Sequence, residues 1–238
     1  MYREWAPDSR VAGRVACVWS SEAISATTQL VVPDGCVDLV WGPGGALVAG
    51  PDTGPKPVRM APGDRYAGIR FRPGAAGELF GVPLDSLRDL RVPLSDLGPF
   101  TELSDPEPLT ALPEPESFLD VVQRALAVRL RAAPGPDPAA PVIAEALRAG
   151  RSVREVAWNL GVGERQLLRR TLRSFGYGPK VLQRVVRFQR ALRLARRGVT
   201  AAEVAVVSGY ADQAHMANEV RRLAGVPLSR LLDQPGNP

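Results

Sequence analysis

A basic run in the C-terminal half of the chain combines arginine and glutamine side chains. Arg165, Gln166 and Arg169 lie at helical spacing in the segment ERQLLRRTLRSF. A guanidinium matches the edge of a guanine or a phosphate, and a glutamine amide matches the edge of an adenine. If the segment is a helix that packs through Leu167, the basic residues point away from the protein. The residues expected to contact DNA from this segment are Arg165, Gln166, Leu168, Arg169, Arg170 and Arg173.

Two alternatives stay open for this segment on its own. A charged helix face is often simply solvated. Leu168 is apolar, so it would either contact a thymine methyl group or pack inward. A second segment of the same kind favours the DNA-binding interpretation.

The second segment follows Asp212, a candidate N-cap. Met216 and Val220 would face inward from the helix that starts there. This phasing turns a further polar set toward a partner, namely Gln213, Ala214, His215, Asn218, Arg221 and Arg222. His215 is the only histidine of the chain, and no residues of metal-ligand type surround it in the sequence. We therefore interpret it as a contact or surface residue and not as a catalyst.

Each polar set follows a shorter predicted helix and a glycine, which is the pattern of a helix-turn-helix unit. The pattern S/T-x-x-E of a capping box occurs at 152–155 and again at 200–203. Gly161 and Gly209 fall where the tight turn between the helices needs a residue that tolerates positive φ. An arginine-lined helix predicted over Val181–Gly198 would hold the two units at a fixed separation.

Charge is divided unevenly between the two halves of the chain. Residues 139–238 contain seventeen Arg and Lys against seven Asp and Glu, a net charge of +10, whereas residues 1–138 carry −5. This asymmetry indicates that the C-terminal half meets a polyanion.

Residues 1–100 predict short strands separated by Gly- and Pro-rich turns, which is typical of a small barrel or sandwich. The predicted strands are Val15–Trp19, Gln29–Val32, Val37–Trp41, Ala46–Ala49 and Tyr66–Phe71. Short helices are predicted at Ala75–Phe80 and Leu84–Leu90. Four side chains of this half could line a ligand pocket: Trp19, Asp38, Trp41 and Arg70. The alternative, which such residues more often represent, is an aromatic core with a surface ion pair.

Two cysteines, Cys17 and Cys36, are too few for a four-ligand zinc site or a disulfide framework. We interpret them as small buried side chains, with a redox or alkylation sensor as the alternative. A helix is predicted over Glu116–Ala132, after an irregular connection at Thr101–Pro115. The Pro-Gly segment at 134–138 then forms a stiff boundary.

About the last hundred residues resemble the AraC/XylS family of bacterial transcription regulators. The resemblance is carried by VREVAWNLGVGERQLLRR, GYGPKVLQRVVRFQRALRLARRG and SGYADQAHMANEVRRLAGVPLSRLL. It implies seven helices, two of which enter successive major-groove segments on one face of DNA. The base contacts that it implies are Arg165, Gln166, Leu168 and Arg169, then Gln213, Ala214, His215 and Asn218. Thr171 and Val220 stand where the family usually has phenylalanine, so we expect less filled subdomain cores.

These observations predict an α+β two-domain protein. Residues 1–100 would form a small β-barrel or cupin-like sensor or dimerisation domain with short helices, and residues 101–138 a linker with one helix. Residues 139–234 would form an all-α DNA-binding domain of about seven helices with two helix-turn-helix units. The N-terminal domain shows no cluster of histidines of the kind that a metal cupin needs.

The predicted function is sequence-specific DNA binding in transcription regulation, and not enzymatic activity. The N-terminal domain would sense a small ligand or mediate dimerisation, and a thiol-based redox or alkyl sensor or enzyme in that position is the alternative. Expected partners are double-stranded DNA, RNA polymerase, a small-molecule effector and a second copy of the chain, with no cofactor, metal or membrane. The first residues do not resemble a signal or transit peptide and no apolar run reaches bilayer-spanning length, so we expect a cytoplasmic location.

Overall fold

Two antiparallel sheets form the N-terminal part of the chain. The computed structural model describes residues 1–100, 103 and 115–233, so most of the predicted connection at 101–114 lies outside the described residues. The strands are β1 (Tyr2–Trp5), β2 (Val15–Glu22), β3 (Thr27–Val31), β4 (Asp38–Gly42), β5 (Gly45–Ala49), β6 (Lys56–Met60), β7 (Arg65–Phe71) and β8 (Arg91–Pro93). Six of them form one sheet in the order β1-β2-β7-β4-β5-β8, and β3 pairs with β6 in the other.

Alternation along the central strands gives the larger sheet two unlike faces. Leu39, Ile69 and Phe71 are buried on one face. Their neighbours Asp38 and Arg70 pair across β4 and β7 and point to the opposite face, because successive side chains of a strand alternate. The apolar face builds the core, and the opposite face is turned toward the β3–β6 sheet.

Helix α1 (Pro115–Ala132) covers the apolar face of the larger sheet. Phe118 and Val122 are buried in the same cluster as Leu39 and Ile69. The ring of Phe118 meets Trp41 edge-on, with 5.5 Å between the ring centroids. The helix predicted over Glu116–Ala132 is thus confirmed, and it packs as part of the N-terminal core.

The five predicted strands are confirmed. Their observed ends differ from the predicted ends by no more than two residues, except that β2 continues to Glu22. The helix predicted at Ala75–Phe80 is wrong, since the structure has successive turns there. Gly74 and Gly77 adopt φ values of +77° and +56°, which an α-helix does not contain. Of the helix predicted at Leu84–Leu90, a single 3-10 turn forms at Leu84–Leu87.

The C-terminal domain is all-helical, as predicted. Between residues 139 and 233 the structure describes seven helices: α2 (Ala140–Arg148), α3 (Val153–Asn159), α4 (Glu164–Phe175), α5 (Pro179–Arg196), α6 (Ala201–Val207), α7 (Gln213–Ala224) and α8 (Leu228–Leu232). Helix α5 runs between two apolar clusters. Its first half packs with α2, α3 and α4, and its second half packs with α6, α7 and α8. Each helix-turn-helix unit therefore has its own core on a shared central helix.

Two core positions depart from what the resemblance implies, and both are fully buried. Thr171 and Val220 are each 0% exposed. The Thr171 hydroxyl donates a hydrogen bond to the carbonyl oxygen of Leu168 at 3.0 Å, so its polar atom is satisfied inside α4. In the part of the chain that the structure describes, no helix is long and apolar enough to cross a membrane.

Candidate nucleic-acid interface and ligand cavity

The first helix of the first helix-turn-helix unit, α3, begins at a complete capping box. The Ser152 hydroxyl accepts from the Glu155 backbone N–H at 3.2 Å, and the Glu155 carboxylate accepts from the Ser152 N–H at 2.7 Å. This bonding lowers the pKa of the Glu155 carboxyl. Gly161 turns the chain at φ +63°, and α4 starts after Gly163. These local signals place α4 where a recognition helix is expected.

Helix α4 buries Leu167 and exposes the side chains on either side of it. Arg165, Gln166 and Arg169 are exposed. Leu168 is 41% exposed, so it does not pack into the core and is available to an apolar group such as a thymine methyl. We call the exposed residues Arg165, Gln166, Leu168 and Arg169 the first recognition set.

Two further arginines of α4 are held by acidic residues outside the helix. Arg173 forms an ion pair with Glu78 of the N-terminal domain. A guanidinium nitrogen of Arg170 lies 3.6 Å from the Asp137 carboxylate. A groove of about 470 Å³ separates α4 from these segments, and Gln166 and Arg169 also line it. Glu78 and Asp137 therefore neutralise part of the positive charge of α4 on this side.

Replacing Glu78 with glutamine is expected to strengthen DNA binding by up to about fivefold. An exposed ion pair contributes no more than about 1 kcal/mol, and breaking it leaves Arg173 available to a phosphate. Binding is measured by fluorescence anisotropy of a labelled duplex. Glu145→Gln is the matched control, because Glu145 is an exposed acid that pairs with Arg148 on α2. Equal gains for both variants would contradict the specific competition at Arg173.

The second unit repeats the first in its local detail. Thr200 and Glu203 form the other capping box, and Gly209 turns the chain at φ +81°. The Asp212 carboxylate accepts from the His215 N–H at 2.7 Å, so α7 begins at a filled N-cap. Exposed along α7 lie the residues that we call the second recognition set: Gln213, Ala214, Asn218, Arg221 and Arg222.

His215 is half-buried and holds the turn before α7. Its Nδ1 accepts from the backbone N–H of Ala211 at 3.3 Å, and its ring meets Tyr210 edge-on with 5.4 Å between centroids. The structure thus gives His215 a role in the turn, and its contact with a base stays a prediction.

Helix α7 is held to the central helix by half-buried ion pairs. The Glu219 carboxylate lies 3.0 Å from Arg184 Nε and 3.4 Å from an Arg187 terminal nitrogen, both on α5. These two arginines lower the pKa of Glu219 against the opposing effect of burial. The Arg187 guanidinium also lies over the Tyr210 ring at 4.5 Å. The second recognition set is left exposed because α7 buries Met216 and Val220 against the rest of the unit.

A cavity of about 350 Å³ lies between the two N-terminal sheets. Of the four residues predicted for a ligand pocket, Trp19, Asp38 and Arg70 line it. Trp41 does not, because it points to the other face of the sheet, where its indole N–H donates to the Leu103 carbonyl oxygen at 3.2 Å. Sequence reasoning missed Tyr2 and Tyr66, which also line the cavity.

Arg70 is the centre of an acidic network at one end of the cavity. Its guanidinium lies 3.0 Å from Asp38, 3.5 Å from Asp34 and 3.9 Å from Glu4. Its side chain is 15% exposed. Arg91, which also lines the cavity, donates two hydrogen bonds to Asp52 at 2.7 and 3.0 Å.

The two cysteines lie near the same arginine and are not paired with each other. Burial raises the pKa of the Cys17 thiol to about 12 and raises the pKa of Cys36 well above its ordinary value. Since the thiolate is the reactive form, both groups are poor nucleophiles near neutral pH. Among the described residues, no three Asp, Glu, His or Cys side chains are grouped as metal ligands would be.

Residues 32–36, which lie between β3 and β4, contact both the cavity-lining Arg70 and the C-terminal domain. We call this segment the coupling loop. Val32 is buried in the cluster of the second unit. The Pro33 carbonyl oxygen accepts from the side-chain amide of Gln189 on α5 at 2.8 Å. Tyr177, which is fully buried, brings its hydroxyl within 3.4 Å of where a Cβ on Gly35 would lie.

Two known families match separate parts of the chain. A family described as "Helix-turn-helix domain" matches residues 156–234, and a "Domain of unknown function (DUF6597)" matches residues 3–93. The C-terminal part of this chain is an AraC-type helix-turn-helix domain. The protein is accordingly a DNA-binding transcription regulator. Regulators with an AraC-type domain are generally not enzymes. No curated protein matched the sequence.

The chain is also similar to solved structures of ToxT from Vibrio cholerae. Wild-type ToxT of strain SCE256 with bound unsaturated fatty acid is 11% identical, with a TM-score of 0.47 over 92% of this chain and 95% of that one. ToxT of strain O395 is 11% identical, with a TM-score of 0.45 over 97% and 95%. The assignment of the AraC-type domain rests on the family match and on the geometry of the two units.

Proposed function

We propose that this regulator reads a specific DNA sequence through the recognition sets of α4 and α7, and that a small ligand in the N-terminal cavity controls that reading. The proposal of DNA binding rests on the fact that the same helix-turn-helix arrangement occurs twice. Two capped, glycine-turned units each present an exposed polar helix face, in a part of the chain with net charge +10. Phosphate contacts from arginine would set the register, and the recognition sets would then select bases.

The cavity supports ligand sensing in the N-terminal domain. A site of about 350 Å³ with apolar walls and a few placed charges is of the size and kind that small molecules occupy. The raised pKa values of Cys17 and Cys36 disfavour the thiol-based alternative. RNA polymerase and a second copy of the chain are proposed as further partners, and the cytoplasm as the location.

The coupling loop offers a route from the cavity to the DNA-binding domain. Arg70 lines the cavity and contacts Asp34, while Pro33 of the same loop accepts the hydrogen bond from Gln189 on α5. Because α5 carries both helix-turn-helix units, a shift of this loop would change how the recognition sets are presented together. Ligand would thereby alter DNA affinity through differential contacts in two states.

Selection of genomic fragments by the full-length protein tests the DNA-binding part of the proposal. We expect one enriched motif whose binding weakens steeply between 50 and 200 mM salt, since several phosphate contacts release counterions. Selected fragments that share no motif, together with a binding affinity that does not depend on salt, would overturn the proposal.

A further inference from the structure

We propose that the ligand of the N-terminal cavity is a small organic cation with an apolar or aromatic body. This inference rests on the proposed function, and it assigns the chemical class of the effector. Three observations lead to it, namely the aromatic rings on one wall of the cavity, the balance of charge at its end and the apolar character of its remaining wall.

Aromatic rings line the wall of the cavity that the larger sheet forms. Trp19 lies across Gly68 on the next strand, so close that a Cβ there would be 2.3 Å from the indole ring, and Tyr66 covers Gly42 in the same way at 2.5 Å. Tyr2 stacks on Trp19 with 5.9 Å between ring centroids. The two glycines thus let the rings lie along the sheet beneath the cavity. Aromatic faces attract cations because their quadrupole places negative charge above the ring.

Both arginines that line the cavity are already neutralised. Arg70 is shared by Asp34, Asp38 and Glu4, and Arg91 is held by two hydrogen bonds to Asp52. The Arg70 group therefore contains two more carboxylates than guanidiniums, and the separate Arg91–Asp52 pair is balanced. An anionic ligand would have to displace a carboxylate from an arginine, whereas a cation adds to a site with excess negative charge.

The remaining wall is apolar and suits the body of such a ligand. It is formed mainly by Val31, Val40, Leu47, Val58 and Met60. Asp38 stands at the boundary between this wall and the acidic end, and it is the carboxylate that lines the cavity. A cationic head would lie near Asp38 and over Trp19, with the body directed toward the β3–β6 sheet.

Isothermal titration of the full-length protein with matched probes tests this assignment. The probes are benzyltrimethylammonium, its neutral carbon isostere neopentylbenzene, and the anion 4-phenylbutyrate. We expect the cation to bind roughly tenfold more tightly than either of the others, the difference that a desolvated cation–π contact with a carboxylate supplies. Asp38→Asn and Trp19→Leu should each weaken the cation about tenfold. Asp120→Asn, an exposed acid on α1, should leave it unchanged.

The outcomes separate the ligand class from the proposed function. Tighter binding of 4-phenylbutyrate or neopentylbenzene, lost on filling the cavity with Ala49→Trp, would overturn the cation assignment and leave a ligand-binding cavity. Absence of binding by all three probes at millimolar concentration would also overturn it. The unfolding midpoint of each variant, measured by circular dichroism, distinguishes loss of the site from loss of the fold. Fragment selection by the unliganded protein tests DNA binding independently.

Discussion

Replacing Arg169 with alanine is expected to weaken binding of the full chain to its selected DNA site by about 1–3 kcal/mol, or roughly 5- to 150-fold. Arg169 is exposed on α4, one turn after Arg165 and beside Leu168. A guanidinium at this place can donate two hydrogen bonds to a guanine edge, and alanine leaves that edge without a partner. The expected signature is relaxed specificity at one base position, together with the lost affinity.

The control for this variant is Arg154→Ala, on the first helix of the same unit. Arg154 is also exposed and carries the same charge. The first helix of such a unit crosses the DNA backbone, so this change should weaken all sequences about equally. Binding is measured against a library of single-base variants of the site. An unchanged sequence preference for Arg169→Ala would remove Arg169 from the recognition set.

Replacing Gly176 with alanine is expected to destabilise the fold by several kcal/mol. Gly176 ends α4 at φ +77°, and a Cβ there would be 2.3 Å from the Pro51 side chain and 2.9 Å from the Leu84 carbonyl oxygen. The left-handed conformation costs an alanine about 1 kcal/mol, and forcing atoms into a filled contact adds about 1–3 kcal/mol more. The backbone oxygen of Leu84 cannot turn aside as a flexible side chain would.

Gly198→Ala separates these two contributions. Gly198 has a similar φ of +80°, but no atom of the described residues lies within 4 Å of its added Cβ. This control should therefore lose only the conformational part, about 1 kcal/mol. The free energies of unfolding are obtained from urea titrations of both variants. Equal losses of unfolding free energy in the two variants would show that the contact of Gly176 with Pro51 and Leu84 adds no steric cost.

The helix-turn-helix units could be predicted because their signals are local. A serine or threonine followed three residues later by glutamate, then a glycine in the turn, fixes where each helix begins and ends. The exposure of the polar side chains at 165–173 and 213–222 then follows from helical phasing, because Leu167 and Met216 face inward. The central strands of the larger sheet could also be predicted, because β-prone runs there are bounded by glycine- and proline-rich turns.

The cavity could be predicted only in part because its residues meet through long-range packing. Asp38 and Trp41 lie on one strand, three residues apart, so they point to opposite faces and cannot share a pocket. Tyr2 lies in a short charged strand with no apolar alternation, and its neighbour Trp19 is fixed by pairing across β1 and β2. The contacts of Arg173 with Glu78 depend on how two domains meet, which no local pattern encodes.

Chemical footprinting of the selected site tests the central claim most directly. Two recognition helices on one central helix should protect two successive major-groove segments on one face of the duplex, about one helical turn apart. Arg169→Ala should remove protection in one segment and Asn218→Ala in the other. Protection of a single segment that both variants retain would contradict the account. So would a protein that does not bind duplex DNA even in dilute salt.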